Sequence, residues 1–143
     1  MISILMPVYN ADKYLEETLD SILVQDYTDW QLIAVNDNST DKSDTILLKY
    51  AAKDRRIKVL LNPEKGIITA LRLAYENASG EYITRMDADD IMPKYKLDEM
   101  LRILQKNGSG IVATGKVKYF SETTLGDGYK RYEQWLNSLV DEQ

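Results

Sequence analysis

Neither cysteine nor histidine occurs anywhere in this chain of 143 residues. Without cysteine there is no disulfide framework, no thiolate nucleophile and no cysteine-type zinc site. Without histidine there is no Ser-His-Asp hydrolysis, no histidine-ligated zinc and no imidazole base. Any acid–base work falls to Asp, Glu, Lys or Tyr. Long apolar runs are also lacking, since none approaches the roughly 18 residues of a membrane span. The opening Met1-Ile2-Ser3-Ile4-Leu5-Met6-Pro7 lacks a basic region, so it reads as a first strand and not as a signal peptide. Basic residues are outnumbered, 18 against 23 acidic, for a net charge of −5. That balance argues against wrapping nucleic acid and offers no basic stripe to anionic membranes. An acidic protein that handles phosphate must use metal and backbone donors more than a Lys/Arg field. The default compartment is cytoplasmic, with the inner face of a membrane open to it through fused or later segments.

What is present is an ordinary globular composition, 44% hydrophobic and 29% charged. The length suits one domain with a real core and not two comfortable ones. Ile2 to Val8 and Gln31 to Val35 are continuous apolar runs of the kind found in buried parallel strands. Ile57 to Leu61 is a third, stopped by Asn62-Pro63, and Glu81 to Met86 a fourth. Between them lie amphipathic segments. Asn10 is a candidate cap for a helix bearing Leu15, Leu19 and Ile22, and a second helix carries Ile46, Leu47, Tyr50 and Ala51. Gly66 opens a third and Gly80 is expected to end it as a C-cap; a fourth starts near Pro93 and stops at Asn107-Gly108. Strand and helix therefore alternate, which predicts a doubly wound, mostly parallel α/β sheet with right-handed crossovers. Beyond Gly108 the pattern predicts a strand over 110–120 and a helix from Tyr129 to Val140 with Tyr132, Trp135, Leu136 and Leu139 on one face. Residues 1–108 thus form the α/β core, and 109–143 read as the start of a further region.

The densest chemistry is Arg85-Met86-Asp87-Ala88-Asp89-Asp90-Ile91, three carboxylates in four positions at a strand's end. Crowded carboxylates repel unless a cation or proton compensates. Hard oxygen ligands in this position suit Mg²⁺ or Mn²⁺ carrying a phosphorylated ligand, whereas the plainer reading is a solvated acidic turn capping the next helix. An EF-hand loop starting at Asp87 fails, since Ile91 and Met92 stand where an oxygen ligand and Gly are required. A haloacid-dehalogenase phosphatase needs its aspartates after the first strand, where Tyr9-Asn10 stands. A dinucleotide-binding G-x-G-x-x-G has no counterpart in Pro7-Val8-Tyr9-Asn10-Ala11-Asp12. In doubly wound sheets, ligands bind outside the carboxyl ends of the strands. Tyr9-Asn10, Asp37-Asn38-Ser39 and Asp87 to Asp90 should therefore meet on one edge, which strengthens the metal–phosphate reading.

Three motifs then carry a resemblance: Met6-Pro7-Val8-Tyr9-Asn10, Val35 to Asp41, and Ala78 to Asp90. In that order and spacing they resemble the family 2 glycosyltransferases of GT-A fold, over about residues 2 to 105. The Arg-Met-Asp-Ala-Asp-Asp version looks most like bacterial enzymes building lipopolysaccharide, capsule or other surface polysaccharides. The resemblance implies transfer of a sugar from a nucleotide-diphosphate donor, a UDP-sugar foremost, to a hydroxyl of a saccharide or lipid-linked saccharide acceptor, with inversion. Mn or Mg would be the cofactor.

By position, the resemblance implies that Pro7, Val8 and Tyr9 wall the base and that Asp37 accepts from the imide N–H of uracil. Asp87 and Ala88 would border the ribose, Asp87 also touching the metal, and Asp89 would be the principal metal ligand. Asp90 would orient the loop or cap the helix near Pro93. Asn10, Lys65, Gly66 and Arg72 would neighbour the nucleotide, Arg72 standing where many relatives have Asn. The general base would come from the C-terminal half. Glu122, Asp127 and Glu133 are acids on that side, but none lies in a base motif, so the base is expected beyond Gln143. On this reading the chain is the N-terminal, donor-binding part of a longer enzyme. The alternative is a non-catalytic nucleotide-sugar-binding module lacking the acceptor half, while a sugar-nucleotidyltransferase would want a Gly-rich, basic triphosphate loop after the first strand. A terminal helix bearing Trp135 also offers a homodimer contact.

Overall fold

A computed structural model describes residues 1–108, 110–121 and 124–140. The chain divides into two compact units, Met1–Leu101 and Arg102–Gln143. In the first, β1 (Ile2–Val8), β2 (Trp30–Asn36), β3 (Ile57–Leu61) and β4 (Tyr82–Arg85) form a parallel sheet in the order β3-β2-β1-β4. The helices α1 (Leu15–Leu23), α2 (Ser43–Ala51) and α3 (Ile67–Glu76) connect successive strands, and α4 (Lys96–Asn107) follows β4.

Side chains alternate across each strand, so one apolar run serves two cores. Ile2, Ile4, Met6 and Val8 of β1 pack with Leu15, Leu19 and Ile22 of α1, Leu47 and Tyr50 of α2, and Leu97 and Leu101 of α4. Leu5 of β1 and Ile33 and Val35 of β2 meet Ala70 and Ala74 of α3 on the opposite face. Covering both faces explains why β1 and β2 read as unbroken hydrophobic stretches. Each fully buried Leu or Ile here contributes about 1.5–3 kcal/mol over its exposed state.

The connections run outward from β1 through β2 to β3, and α3 then carries the chain back to pair β4 with the other side of β1. Strand order therefore reverses beside β1. The loops leaving β1 and β4 diverge there and open a crevice, the usual ligand position in this architecture.

Several local expectations are corrected. Asn10 caps no helix: it adopts a left-handed φ of 48°, and α1 begins only at Leu15. Gly80 is not a C-cap, because α3 ends at Glu76 and its cap residue is Asn77, whose Nδ2 donates to Leu73 O at 2.9 Å. Gly80 instead abuts β1, its N–H donating to Ser3 Oγ at 2.8 Å. At Asn107-Gly108 the helix does stop, with Gly108 at φ 83°.

In the second unit, the described residues between 110 and 121 form no strand, contrary to the strand expected over 110–120. Extended backbone needs partners for its N–H and C=O groups, and here side chains of α5 (Asp127–Ser138) provide them in place of a neighbouring strand. Asn137 accepts from Val117 N–H and donates to Val117 O, both at 2.8 Å, and Glu133 accepts from Tyr119 N–H at 2.6 Å. The Tyr119 ring packs against those of Tyr129 and Tyr132, centroids 5.8 and 6.2 Å away.

Candidate functional site

At the carboxyl edge of β1, Pro7, Val8, Tyr9 and Asn10 form one wall of a cleft of about 470 Å³. Asp37, from the end of β2, stands at one side of it, and Arg85, Asp87, Ala88 and Asp89 from the end of β4 stand at the other. Three segments far apart in sequence thus converge as the alternation predicts.

The first two loops are interlocked by hydrogen bonds. Asn10 N–H donates to Ser39 Oγ at 3.1 Å, Thr40 N–H donates back to Asn10 Oδ1 at 2.8 Å, and Ala11 N–H reaches Ser43 Oγ at 2.9 Å. Asp12 N–H donates to Asp41 at 3.0 Å. Burial opposes the charge on Asp41, but this bond and those from Ser43 outweigh it and hold its carboxyl below the usual range. Left-handed residues at Asn10 and at Asn38, φ 61°, allow both chains to turn this tightly.

Asp37 is 6% exposed and firmly held. Its Oδ1 accepts from Asn62 Nδ2 at 2.6 Å and from Gly66 N–H at 2.8 Å, and its Oδ2 lies 3.0 Å from the same N–H. Lys65 crosses to Tyr9, Nζ standing 2.8 Å from the hydroxyl and 4.0 Å from the ring centroid, a cation–π arrangement. Lys65 and Gly66 therefore border the site through Tyr9 and Asp37. Arg72 is exposed on α3 and is not among the residues lining the cleft.

In the acidic loop, Arg85 donates through Nε and Nη2 to Asp87 Oδ1 at 2.9 and 2.7 Å. Asp90 N–H closes a turn onto Asp87 O at 3.3 Å, and the Asp90 carboxyl is pushed up by partial burial and then by the charges of Asp87 and Asp89. The loop is anchored from behind by a polar stripe on α1 and its C-terminal extension. Thr18 Oγ1 donates to Ala88 O at 3.0 Å, Ser21 Oγ accepts from Met92 N–H at 3.0 Å, and Gln25 Nε2 donates to Met92 O and Pro93 O at 3.3 and 2.8 Å.

Among the described residues, no group of three His, Cys, Asp or Glu side chains could hold a metal ion by itself. Two cleft-lining carboxylates, Asp87 and Asp89, nevertheless fit a Mg²⁺ or Mn²⁺ that completes its shell with water and phosphate oxygens. Of the later acids, Asp127 lies 3.6 Å from Lys130 in the first turn of α5, Glu133 is taken up by Tyr119, and Glu122 lies outside the described residues. Sequence reasoning missed Asn62, Thr18, Ser21 and Gln25, which are buried and polar, and also Tyr14 and Ile67, which line the cleft. The one available signal was the spacing of Thr18, Ser21 and Gln25, three and four apart beside the apolar stripe of α1.

The glycosyl transferase family 2 profile matches residues 3–142. A Haemophilus influenzae protein described as an uncharacterized glycosyltransferase is 41% identical over 108 residues, 75% of this chain and 43% of its own length. Bacillus subtilis TuaG, named for teichuronic acid biosynthesis, is 36% identical over 116 residues, 80% of this chain and 46% of its own. Staphylococcus aureus TarS residues 1–349, solved with UDP, superposes with a TM-score of 0.68 at 29% identity, over 73% of this chain and 32% of that one. The mannosyltransferase PcManGT from Pyrobaculum calidifontis, solved with GDP-Man and Mn²⁺, gives 0.66 at 27% identity, over 71% and 31%. The chain spans less than half the length of these proteins. With a family profile covering nearly every residue and GT-A neighbours sharing its sheet, this chain belongs to glycosyl transferase family 2 and has the GT-A fold.

Proposed function

We propose that this chain is the donor-binding portion of a metal-dependent, inverting glycosyltransferase that uses a UDP-sugar to build a bacterial surface polysaccharide. One observation carries the reading: a single cleft has a fixed, acceptor-only carboxylate, Asp37, at one side and the carboxylates Asp87 and Asp89 at the other. Asp37 suits a base that offers an N–H, as uracil does and cytosine does not. Tyr9 and the Pro7-Val8 backbone form the wall along which the base lies. Asp89 and Asp87 hold Mn²⁺ or Mg²⁺, which when bound serves as the Lewis acid for charge developing on the departing diphosphate. The acceptor hydroxyl attacks the anomeric carbon from the face opposite the diphosphate. A new C–O bond forms as the bond to the β-phosphate breaks, a carboxylate base takes the hydroxyl proton, and UDP leaves.

The UDP bound to TarS and the Mn²⁺ bound with GDP-Man to PcManGT support this reading, as does the name of TuaG. No helix among the described residues is long and apolar enough to cross a membrane. The test is a thermal-shift panel of UDP, GDP, dTDP and CMP, each with and without Mn²⁺. A ligand at a hundredfold its Kd adds about 2.7 kcal/mol, which is a rise of several degrees for a chain of this size. UDP with Mn²⁺ should raise the midpoint most, and Asp89→Asn should abolish the Mn²⁺-dependent part. No response to any nucleotide refutes the reading.

A further inference from the structure

We propose that Asn62 is a positioning residue for base recognition, presenting Asp37 to the nucleotide without touching the ligand itself. Asn62 is 1% exposed and does not line the cleft, yet three of its polar atoms tie together the segments that build it. Its N–H donates to Asn36 O at 2.9 Å, and its carbonyl accepts from Asn38 Nδ2 at 3.1 Å, holding the backbone before Asp37 and the side chain after it. Its Nδ2 donates to Asp37 Oδ1 at 2.6 Å, and also reaches Thr69 Oγ1 and Gly66 O at 3.0 and 3.2 Å. The orientation of the amide follows from those neighbours: three acceptors surround one end, so the nitrogen must face them. Its Oδ1 points into a buried position without a partner.

The consequence for recognition is chemical. A carboxylate already receiving the Asn62 amide on Oδ1 and the Gly66 N–H across both oxygens has its plane fixed. Its remaining lone pairs are aimed, and it can only accept. A ligand edge offering N–H is matched there, and one offering a bare ring nitrogen is rejected by lone-pair repulsion. Because Asn62 is neutral, it fixes Asp37 without cancelling the charge that attracts the ligand donor. Among the described residues, the groups that donate to the Asp37 carboxylate are an amide and a backbone N–H, and neither is a cation.

This inference rests on the nucleotide-binding reading, so its test separates the two. Isothermal titration of UDP and CDP, each with Mg²⁺, is compared in the wild type and in Asn62→Ser. The unaltered chain should prefer UDP. Loss of a hydrogen bond to a charged group is expected to lower UDP affinity by roughly tenfold or more, with CDP affinity changed far less, so that the preference collapses. A general structural defect would weaken both ligands equally, and that result, or an unchanged preference, overturns the role of Asn62 while leaving nucleotide binding intact. If the wild type binds neither ligand, the parent reading fails and this inference with it. Should Asn62→Ser not fold, the unaltered protein still decides the matter by ¹H–¹⁵N spectroscopy. The Asn62 side-chain amide signals should move when UDP with Mg²⁺ is added and not with ribose 5-phosphate and Mg²⁺, and equal or absent movement overturns the proposal.

Discussion

Replacing Gln25 by leucine tests whether the acidic loop is held from behind by α1. Gln25 is 4% exposed. Its Nε2 donates to Ser21 O, Met92 O and Pro93 O at 3.1, 3.3 and 2.8 Å, and its Oε1 accepts from Leu97 N–H at 3.3 Å. Leucine has nearly the same volume, so the packing is kept and the polar contacts are lost. Not every partner is orphaned, because Pro93 O still accepts from Lys96 N–H at 3.0 Å. Met92 O and Leu97 N–H lose the bonds they make to this side chain, and each buried unsatisfied group costs about 1–3 kcal/mol. Against that stands about 1 kcal/mol gained by burying a more apolar side chain, leaving a net loss of about 3 kcal/mol. For a chain of this length that is a fall in Tm of roughly 10 °C. Differential scanning calorimetry measures it, and hydrogen exchange should show the loss of protection concentrated between Ala88 and Leu97. Gln25→Glu sharpens the test: at neutral pH it sets a carboxylate against Pro93 O and should cost more than leucine does. A fall in Tm of less than about 2 °C for both variants would show that the loop is held by something else.

Gly80→Ala should destabilise by about 1–3 kcal/mol, read by urea denaturation, because a Cβ there would stand 2.7 Å from Ser3 N and 2.9 Å from Met1 O, backbone atoms that cannot swing away. Tyr50 donates to Asp20 Oδ1 at 2.7 Å, and burial first and Asp20 second push its hydroxyl from 10.0 up to about 12. The folded state therefore keeps this proton longer than the unfolded state does. The associated stability is whole below pH 10, is lost as pH rises from 10 toward 12, and should be absent from the alkaline limb of Tyr50→Phe in a Tm-against-pH series.

Fold and site were legible to different depths, and the reason is the range of the interactions. The strands announced themselves because both faces of β1 and β2 are covered, which leaves continuous apolar runs in the chain itself. The segment over 110–120 also reads as strand-like, but such a pattern says only which residues could be buried, not whether a neighbouring strand exists. Val117 and Tyr119 find side chains of α5 instead. Gly80 was misread for a related cause. A glycine after an amphipathic stretch resembles a helix terminator, whereas its constraint comes from Ser3, seventy-seven positions earlier. Local pattern could not distinguish the two.

The site shows the same division more sharply. Asp37, Asp87 and Asp89 stood out because charges at strand ends are conspicuous, but the groups that hold Asp37 and anchor the acidic loop from behind are neutral and were invisible. Asn62 looked like the stop to a strand, and Thr18, Ser21 and Gln25 lie outside the apolar stripe by which the first helix was read, although each of the four is 8% exposed or less. Neutral support has a physical logic at this cleft. Asp87 is paired with Arg85, so part of its charge is already answered. Were Asp37 held in the same way, a guanidinium would compete directly with any ligand N–H for its lone pairs. An amide from Asn62 and the backbone N–H of Gly66 fix its position and leave its charge in place. On the proposed function, a net acidic chain would receive a nucleotide through one carboxylate held by neutral groups and a second pair that a cation would neutralise. The groups that hold Asp37, the Asn62 amide and the Gly66 N–H, carry no charge themselves.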